Sequence, residues 1–422
     1  MGRDEVGDVL VADGTVARIE KTVTIDGATE IDATGLVVCP GFVDMHTHLR
    51  EPGREDEETV ASASAAAAAG GFTAVCAMPN TDPVADSAAV VEQVWGLGRA
   101  AGLVDVIPSG ALSKGQLGQE MSDIGEMARS AAEVRWFTDD GHGVQNSLFV
   151  RRVMEYLLAF DATYAEHCED AALAAGSHMN EGVRSVALGL RGQPAAAEEL
   201  MAARDIALSR LTGCRLHLLH VSTAGTVELV RRAKDEGLQV TAEATPHHFT
   251  LTDEALESYD PNAKVNPPLR SEIDRAAVIE GLADGTIEAI ATDHAPHAAQ
   301  EKDQELQYAP PGLVGLETAL GLAMTELVAN DRLSLTDMVD RMSTAPARLL
   351  GLSDHGTLKA GSPANLVIFD PDVRWSVDPN EFFSKSRNTP FGGRDLQGKV
   401  LHTFFKGEAT FSQGQIRKGA SV

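Results

Sequence analysis

Eight short apolar runs, each followed by a helical or loop stretch, limit how this chain folds more than any other feature of it. They lie around 42–46, 73–78, 104–108, 134–139, 163–167, 216–221, 240–244 and 289–293. Such runs, bounded by polar turns, read as strands buried on both faces. Helical patterns separate them, as at 57–69 and 198–211, and two more (318–330 and 335–350) follow the last run. Eight βα repeats in succession predict an α/β fold, a (β/α)8 barrel spanning 40–352. A doubly wound open sheet is the rival, weakened because no glycine-rich phosphate loop follows the first run.

The flanks 1–39 and 353–422 have a different texture. Polar and apolar residues alternate between Gly and Asp turns, as in Val9-Leu10-Val11-Ala12-Asp13-Gly14 and again at 364–370 and 400–408. This pattern predicts a small β-sandwich domain assembled from both termini. The chain opens abruptly inside what reads as a strand pair, which suggests a longer natural N-terminus.

A formal net charge of −27 argues against nucleic acid or an anionic membrane as partner. A small anionic substrate remains compatible, because one buried Arg can dominate a pocket. The four cysteines (Cys39, Cys76, Cys168, Cys214) lie in or beside apolar runs without Cys-x-x-Cys spacing, as expected of free thiols in a reducing cytoplasm. No secretory signal opens the chain. The long run 61–78 is mostly Ala with a Gly70-Gly71 break, so a soluble helix and strand are expected there rather than a membrane span.

Barrel enzymes place their chemistry at the C-terminal ends of the strands. Those ends supply His46 and His48, then Met78-Pro79-Asn80, Asp139-Asp140, His167, His220, and Asp293-His294-Ala295-Pro296-His297. Residues two apart on a strand share a face, so His46 and His48 converge. Four histidines and two carboxylates at one mouth suffice for two divalent ions sharing a bridge, the ligand set of hydrolytic zinc sites. His217, three residues before His220, is expected to face the opposite way and pack. His142, His178, His355 and His402 sit in loop, helical or terminal contexts outside the set.

His46-Thr47-His48-Leu49-Arg50-Glu51-Pro52-Gly53, Met78-Pro79-Asn80-Thr81, Phe137-Thr138-Asp139-Asp140-Gly141, His167-Cys168-Glu169-Asp170, Lys264-Val265-Asn266-Pro267-Pro268-Leu269-Arg270 and Ala291-Thr292-Asp293-His294-Ala295-Pro296-His297 together resemble the dihydroorotases. More narrowly they resemble the bacterial type I enzymes of the amidohydrolase superfamily, and Ser384-Lys385-Ser386-Arg387-Asn388-Thr389-Pro390-Phe391 extends the match. The resemblance implies reversible hydrolysis of dihydroorotate to N-carbamoyl-L-aspartate in pyrimidine synthesis. It assigns one metal to His46, His48 and Asp293 and another to His167 and His220, with Asp140 bridging. Zinc is the expected ion, one or two per chain with two favoured, activating a water while Asp293 shuttles its proton.

Many relatives bridge the metals with a carboxylated lysine. No Lys lies between Val134 and Gly141, and Asp140 is chosen over Asp139 by the family pattern, since neighbours on a strand face opposite ways. The resemblance also implies that Arg50, Asn80 and His297 meet the substrate carboxylate, that His48 belongs to the substrate-binding set as well, and that Asn266, Pro311 and Gly312 read the ring. His294 and the pair His247-His248 are expected to orient ligands. The polar stretch from His297 to Pro311 reads equally as a lid or a solvated loop. Two positions depart from the pattern: Pro311 stands where an aromatic is usual, and Asn365 where an acid is usual.

Three alternatives remain at this stage. One is another cyclic amidohydrolase, such as a hydantoinase or allantoinase; Arg50 and the missing lysine count against it. Another is a weakly active scaffold for aspartate carbamoyltransferase, against which the filled ligand positions speak. A pure binding module would leave the ligand set unexplained. Association with that transferase, or a homodimer, is compatible with the enzyme reading.

Overall fold

The computed structural model describes residues 4–417. Eight parallel strands form its centre: β1 (Phe42–Thr47), β2 (Phe72–Ala77), β3 (Asp105–Pro108), β4 (Trp136–Phe137), β5 (Thr163–Glu166), β6 (Leu216–Leu218), β7 (Val240–Ala244) and β8 (Ala289–Ile290). All eight expected runs are strands, several of them shorter than the sequence suggests. Main-chain pairing groups them into an arc of three (β1, β2, β3) and an arc of five (β4 to β8). Single parallel bridges join the arcs, Gly110 to Phe137 on one side and Thr47 to His294 on the other. There Thr138 N–H donates to Gly110 O at 2.9 Å and His48 N–H to His294 O at 2.8 Å. The ring is therefore closed, and the fold is the (β/α)8 barrel.

The runs are apolar on both faces because both faces are covered. Met45, Cys76, Trp136, Ala165, Leu219, Ala289 and Ala291 fill the inside of the barrel. The outer faces meet the helices in one large core that includes Phe42, Val75, Val106, Tyr164 and Leu216. In the helix Val60–Ala69, Ala63, Ala66, Ala67 and Ala68 are fully buried. The helix starts later than the pattern suggests because Thr59 caps it, in a reciprocal pair with Ser62. This frees Glu57 and Glu58 from the helix, and both are buried near the barrel mouth.

Both ends of the chain build the small β-domain. Its antiparallel sheet runs Gln415–Ile416, Glu408–Ser412, Asp395–Phe405, Leu366–Ser376, and finally Val37–Pro40 from the N-terminal side. Side chains alternate across this sheet. Leu366 and Ile368 pack with Val9, Val11, Val16 and Ile19 of the hairpin Asp8–Ala12/Thr15–Glu20. Phe369 faces the barrel, its ring centroid 6.3 Å from that of Phe42. Among the described residues no helix is long and apolar enough to cross a membrane.

Candidate metal centre and substrate pocket

The strand ends bring six side chains to one point. His46 Nε2 lies 3.4 Å from Asp140 Oδ1 and 3.4 Å from Asp293 Oδ1. His48 Nε2 lies 3.0 Å from Asp293 Oδ1 and 3.4 Å from Asp140 Oδ2. From the other side, His167 Nδ1 and His220 Nε2 are each 3.6 Å from Asp140 Oδ1, and 2.9 Å from one another. Asp140 is thus the centre of a ring of four imidazoles. Asp139 points away and accepts from the amides of Leu112 and Ser113.

Backbone conformation helps aim these groups. His220 and Asp293 adopt left-handed φ values of +31° and +47°, and Arg50 one of +63°. Non-glycine residues hold such values only where the surroundings enforce them.

The donor set fits a divalent cation. His46 Nε2, Asp140 Oδ1 and His220 Nδ1 are buried without any hydrogen-bond partner, an expensive state that an ion relieves. Three overlapping triads have their ligand atoms within 4.8 Å of one another: His46/His48/Asp140, His46/His220/Asp293 and Asp140/His167/His220. Burial opposes the Asp140 carboxylate, but the surrounding imidazoles outweigh it and hold the group well below its usual range. Burial likewise opposes charge on His46, yet Asp140, Asp293 and Glu243 raise it well above the ordinary histidine value. A metal displaces such protons, because imidazole ligates in its neutral form.

Support from beneath comes from residues that the strand-end reading missed. Glu243 on β7 accepts from His46 Nδ1 at 2.7 Å and lies 3.3 Å from His217 Nε2. Burial acts against its charge, but His46 and His217 lower it to about 2. Asp44 accepts from Thr292 Oγ1 at 2.6 Å and from the His46 amide at 3.0 Å. Asp44 stands two residues before His46, and strand parity alone could have found it.

His217 corrects the sequence reading. It shares the barrel interior, reaching Glu243 beneath the site, because the left-handed turn at His220 breaks strand alternation. His294 and His248 also differ from expectation. They bond Glu58 and Gly315, and Thr245 and Pro267, respectively, rather than any of the converging imidazoles. His247 is buried with neither ring nitrogen hydrogen-bonded. His142 is exposed, whereas His355 is buried between Thr73 and Asp105 at the barrel's other end.

A group of opposite character, centred on the buried Arg50, adjoins the cluster. Arg50, 7% exposed, donates from Nε to Pro296 O at 3.0 Å and pairs with Glu57 at 3.0 Å. Its Nη2 lies 3.4 Å from His297 Nε2. Asn80 Oδ1 meets His48 Nδ1 at 2.8 Å, so this residue orients an imidazole. Asn266 Nδ2 lies 3.3 Å from His167 Nε2. The Pro311 carbonyl meets His297 Nε2 at 2.9 Å, and it faces inward for that reason. Gly312 has φ +133°, and a Cβ there would stand 2.8 Å from the Ala295 Cβ, so only glycine fits. A cleft of about 280 Å³ opens beside Asn266 and Pro311, walled also by Glu169, Gln193 and Lys264.

Comparison with known proteins bears on this geometry. The dihydroorotase of Streptomyces coelicolor is 50% identical over 98% of this chain and 96% of its own length. This chain belongs to the dihydroorotase family. The dihydroorotase of Pelotomaculum thermopropionicum is 51% identical over 99% of this chain and 96% of its own. The family described as Dihydro-orotase-like matches residues 35–226, and the Amidohydrolase family matches 310–411. Among solved structures, the L-hydantoinase (dihydropyrimidinase) of Arthrobacter aurescens superposes with a TM-score of 0.87 at 28% identity, covering 98% of this chain and 94% of that one. Members of the dihydroorotase family are metal-dependent cyclic amide hydrolases, and the His/Asp cluster described here suits that chemistry.

Proposed function

We propose that this family member interconverts dihydroorotate and N-carbamoyl-L-aspartate, a step of pyrimidine synthesis. The observation that carries the reading is the buried Arg50 beside the His46–Asp293 cluster. A guanidinium binds a carboxylate through two parallel hydrogen bonds, and dihydroorotate offers a carboxylate next to a cyclic amide. Asn80 and His297 flank Arg50 on the carboxylate side. Asn266 and the backbone of Pro311 and Gly312 face the ring.

One zinc ion would be held by His46, His48 and Asp293 and a second by His167 and His220, with Asp140 within reach of both sets. A divalent ion supplies an acidified water and a polarised amide carbonyl. The chain's own residues manage the proton. Asp293 lies 3.0 Å from His48 Nε2 and is kept ionised: burial opposes its charge, and the imidazoles overcome it. It takes the proton of the attacking water as the new C–O bond forms, then gives it to the ring nitrogen as the C–N bond breaks. Ring closure runs the same transfers in reverse. All four cysteines are free and buried, which supports a reducing, cytoplasmic setting.

The test is loss of dihydroorotate absorbance by the purified protein, with metal content measured on the same sample. Turnover that disappears on chelation, returns with zinc, and falls at least about a thousandfold in Asp293→Ala supports the assignment. A metal-loaded protein that opens a hydantoin or allantoin but leaves dihydroorotate untouched would sink it.

A further inference from the structure

The segment 306–312 is held in an unusual way. Lys264 Nζ donates to the carbonyls of Leu306 at 2.8 Å, Gln307 at 3.3 Å and Ala309 at 2.7 Å. Lys302 Nζ donates to those of Pro310 at 2.8 Å and Gly312 at 3.0 Å. Both lysines are buried, 8% and 6% exposed. A buried ammonium is costly and is ordinarily offset by a carboxylate. Here five carbonyls of one short stretch serve instead.

Chain chemistry explains why the carbonyls need outside donors. Pro310 and Pro311 have no N–H, so the stretch cannot build a ladder of its own. Its remaining anchors lead to the same places. Gly312 N–H donates to Lys264 O at 2.8 Å, and Asn388 Nδ2 donates to Gly312 O at 3.1 Å. Lys264 stands two residues before Asn266, so one strip of chain anchors the segment and also presents Asn266 to His167. The two walls of the cleft are thereby tied together.

We infer that Lys264 and Lys302 are positioning residues of this reaction, holding segment 306–312 so that Pro311 and Gly312 form a fixed wall against the substrate ring. The inference rests on the reading of this mouth as the dihydroorotate site. Neither ammonium bonds the His/Asp cluster; each acts through backbone carbonyls. Burial lowers both groups from the ordinary lysine value, Lys302 to about 7 with the charge of Lys264 adding to the effect, a sign that each ammonium is held at a cost. Within the stretch from His297 to Pro311, the part from Leu306 onward is accordingly clasped by its backbone, while residues 303–305 stay exposed.

The test is steady-state kinetics together with amide hydrogen exchange on the metal-loaded protein, for wild type, Lys264→Met, Lys302→Met and Lys302→Arg. The methionine variants are expected to raise KM for dihydroorotate about tenfold while kcat changes little, and to lose exchange protection in the peptide 303–313 alone. Lys302→Arg, which keeps a cation, is expected to recover part of both. Unchanged KM and protection would overturn the inference, as would a loss carried mainly by kcat. If the methionine variants do not fold, Lys302→Arg decides: a raised KM with partial loss of protection in the peptide 303–313 supports the wall, and wild-type values of both refute it. A wild type without dihydroorotate turnover defeats the substrate reading, while exchange in the variants still tests the clasp.

Discussion

Two groups of histidine and carboxylate stand side by side at the barrel mouth, and they are built to opposite ends. The ring around Asp140 and the trio Glu57/His297/Glu301 both place ligand atoms within 4.8 Å of one another. In the trio, Arg50 and Arg54 already pair with Glu57, and Arg54 also reaches Glu301. In the ring, the contacts of Asp140 and Asp293 are with imidazoles, and no guanidinium pairs with either carboxylate among the described residues. Proton affinities follow. Burial, aided by the charges of Arg50 and Lys302, pushes His297 down to about 3, whereas carboxylates raise His46. The lesson is that residue types alone do not define a metal site. A deficit of positive charge makes a place for a cation, and a guanidinium supplied by the chain makes a place for an anion.

The largest effect should come from breaking the ring. Asp140→Asn is expected to abolish turnover and release metal, while Glu301→Gln in the trio leaves metal content at the wild-type level; elemental analysis beside the activity assay separates the two. Next comes the anion side. Arg50→Met should keep its metal yet raise KM for dihydroorotate by roughly 30-fold or more, the loss expected when one partner of a buried charge pair is removed. Glu243→Gln sharpens the contrast from below. It keeps an acceptor for His46 but removes the charge, and a chelator competition should show metal affinity falling by about 10- to 100-fold.

The smallest effect concerns His297. Its folded value, about 3, lies below the ordinary 6.5, so the folded state binds fewer protons than the unfolded chain between those limits. The stability this confers is complete above 6.5 and drains away as pH falls towards 3. In metal-free protein, urea unfolding should show His297→Asn flattening that acid limb, by about 2 kcal/mol near pH 5.

The strands and the converging side chains were legible because they obey simple periodicities. His46 and His48 share a strand face, and each later member of the cluster follows an apolar run. What lay beyond reach had physical reasons. The alternation rule assumes an extended backbone, and the left-handed turn at His220 removes it, so His217 was assigned to the wrong side. Glu243 sits inside an apolar run and bonds a histidine nearly two hundred positions away, a pairing only the closed ring creates. Lys264 and Lys302 have no role in the sequence reading, since nothing local shows that their partners are carbonyls rather than water.

The way the ring closes has a mechanical consequence. Its two arcs meet at single bridges, and both junctions lie directly beneath the chemistry: Thr47 to His294 between His46 and Asp293, and Gly110 to Phe137 just before Asp140. His46 and His48 come from the shorter arc, and Asp140, His167, His220 and Asp293 from the longer. An ion seated among them would rivet the two arcs together across these single-bridge joints. The reactive centre and the fastener would then be one object, and a protein stripped of it would lose stiffness along with its chemistry.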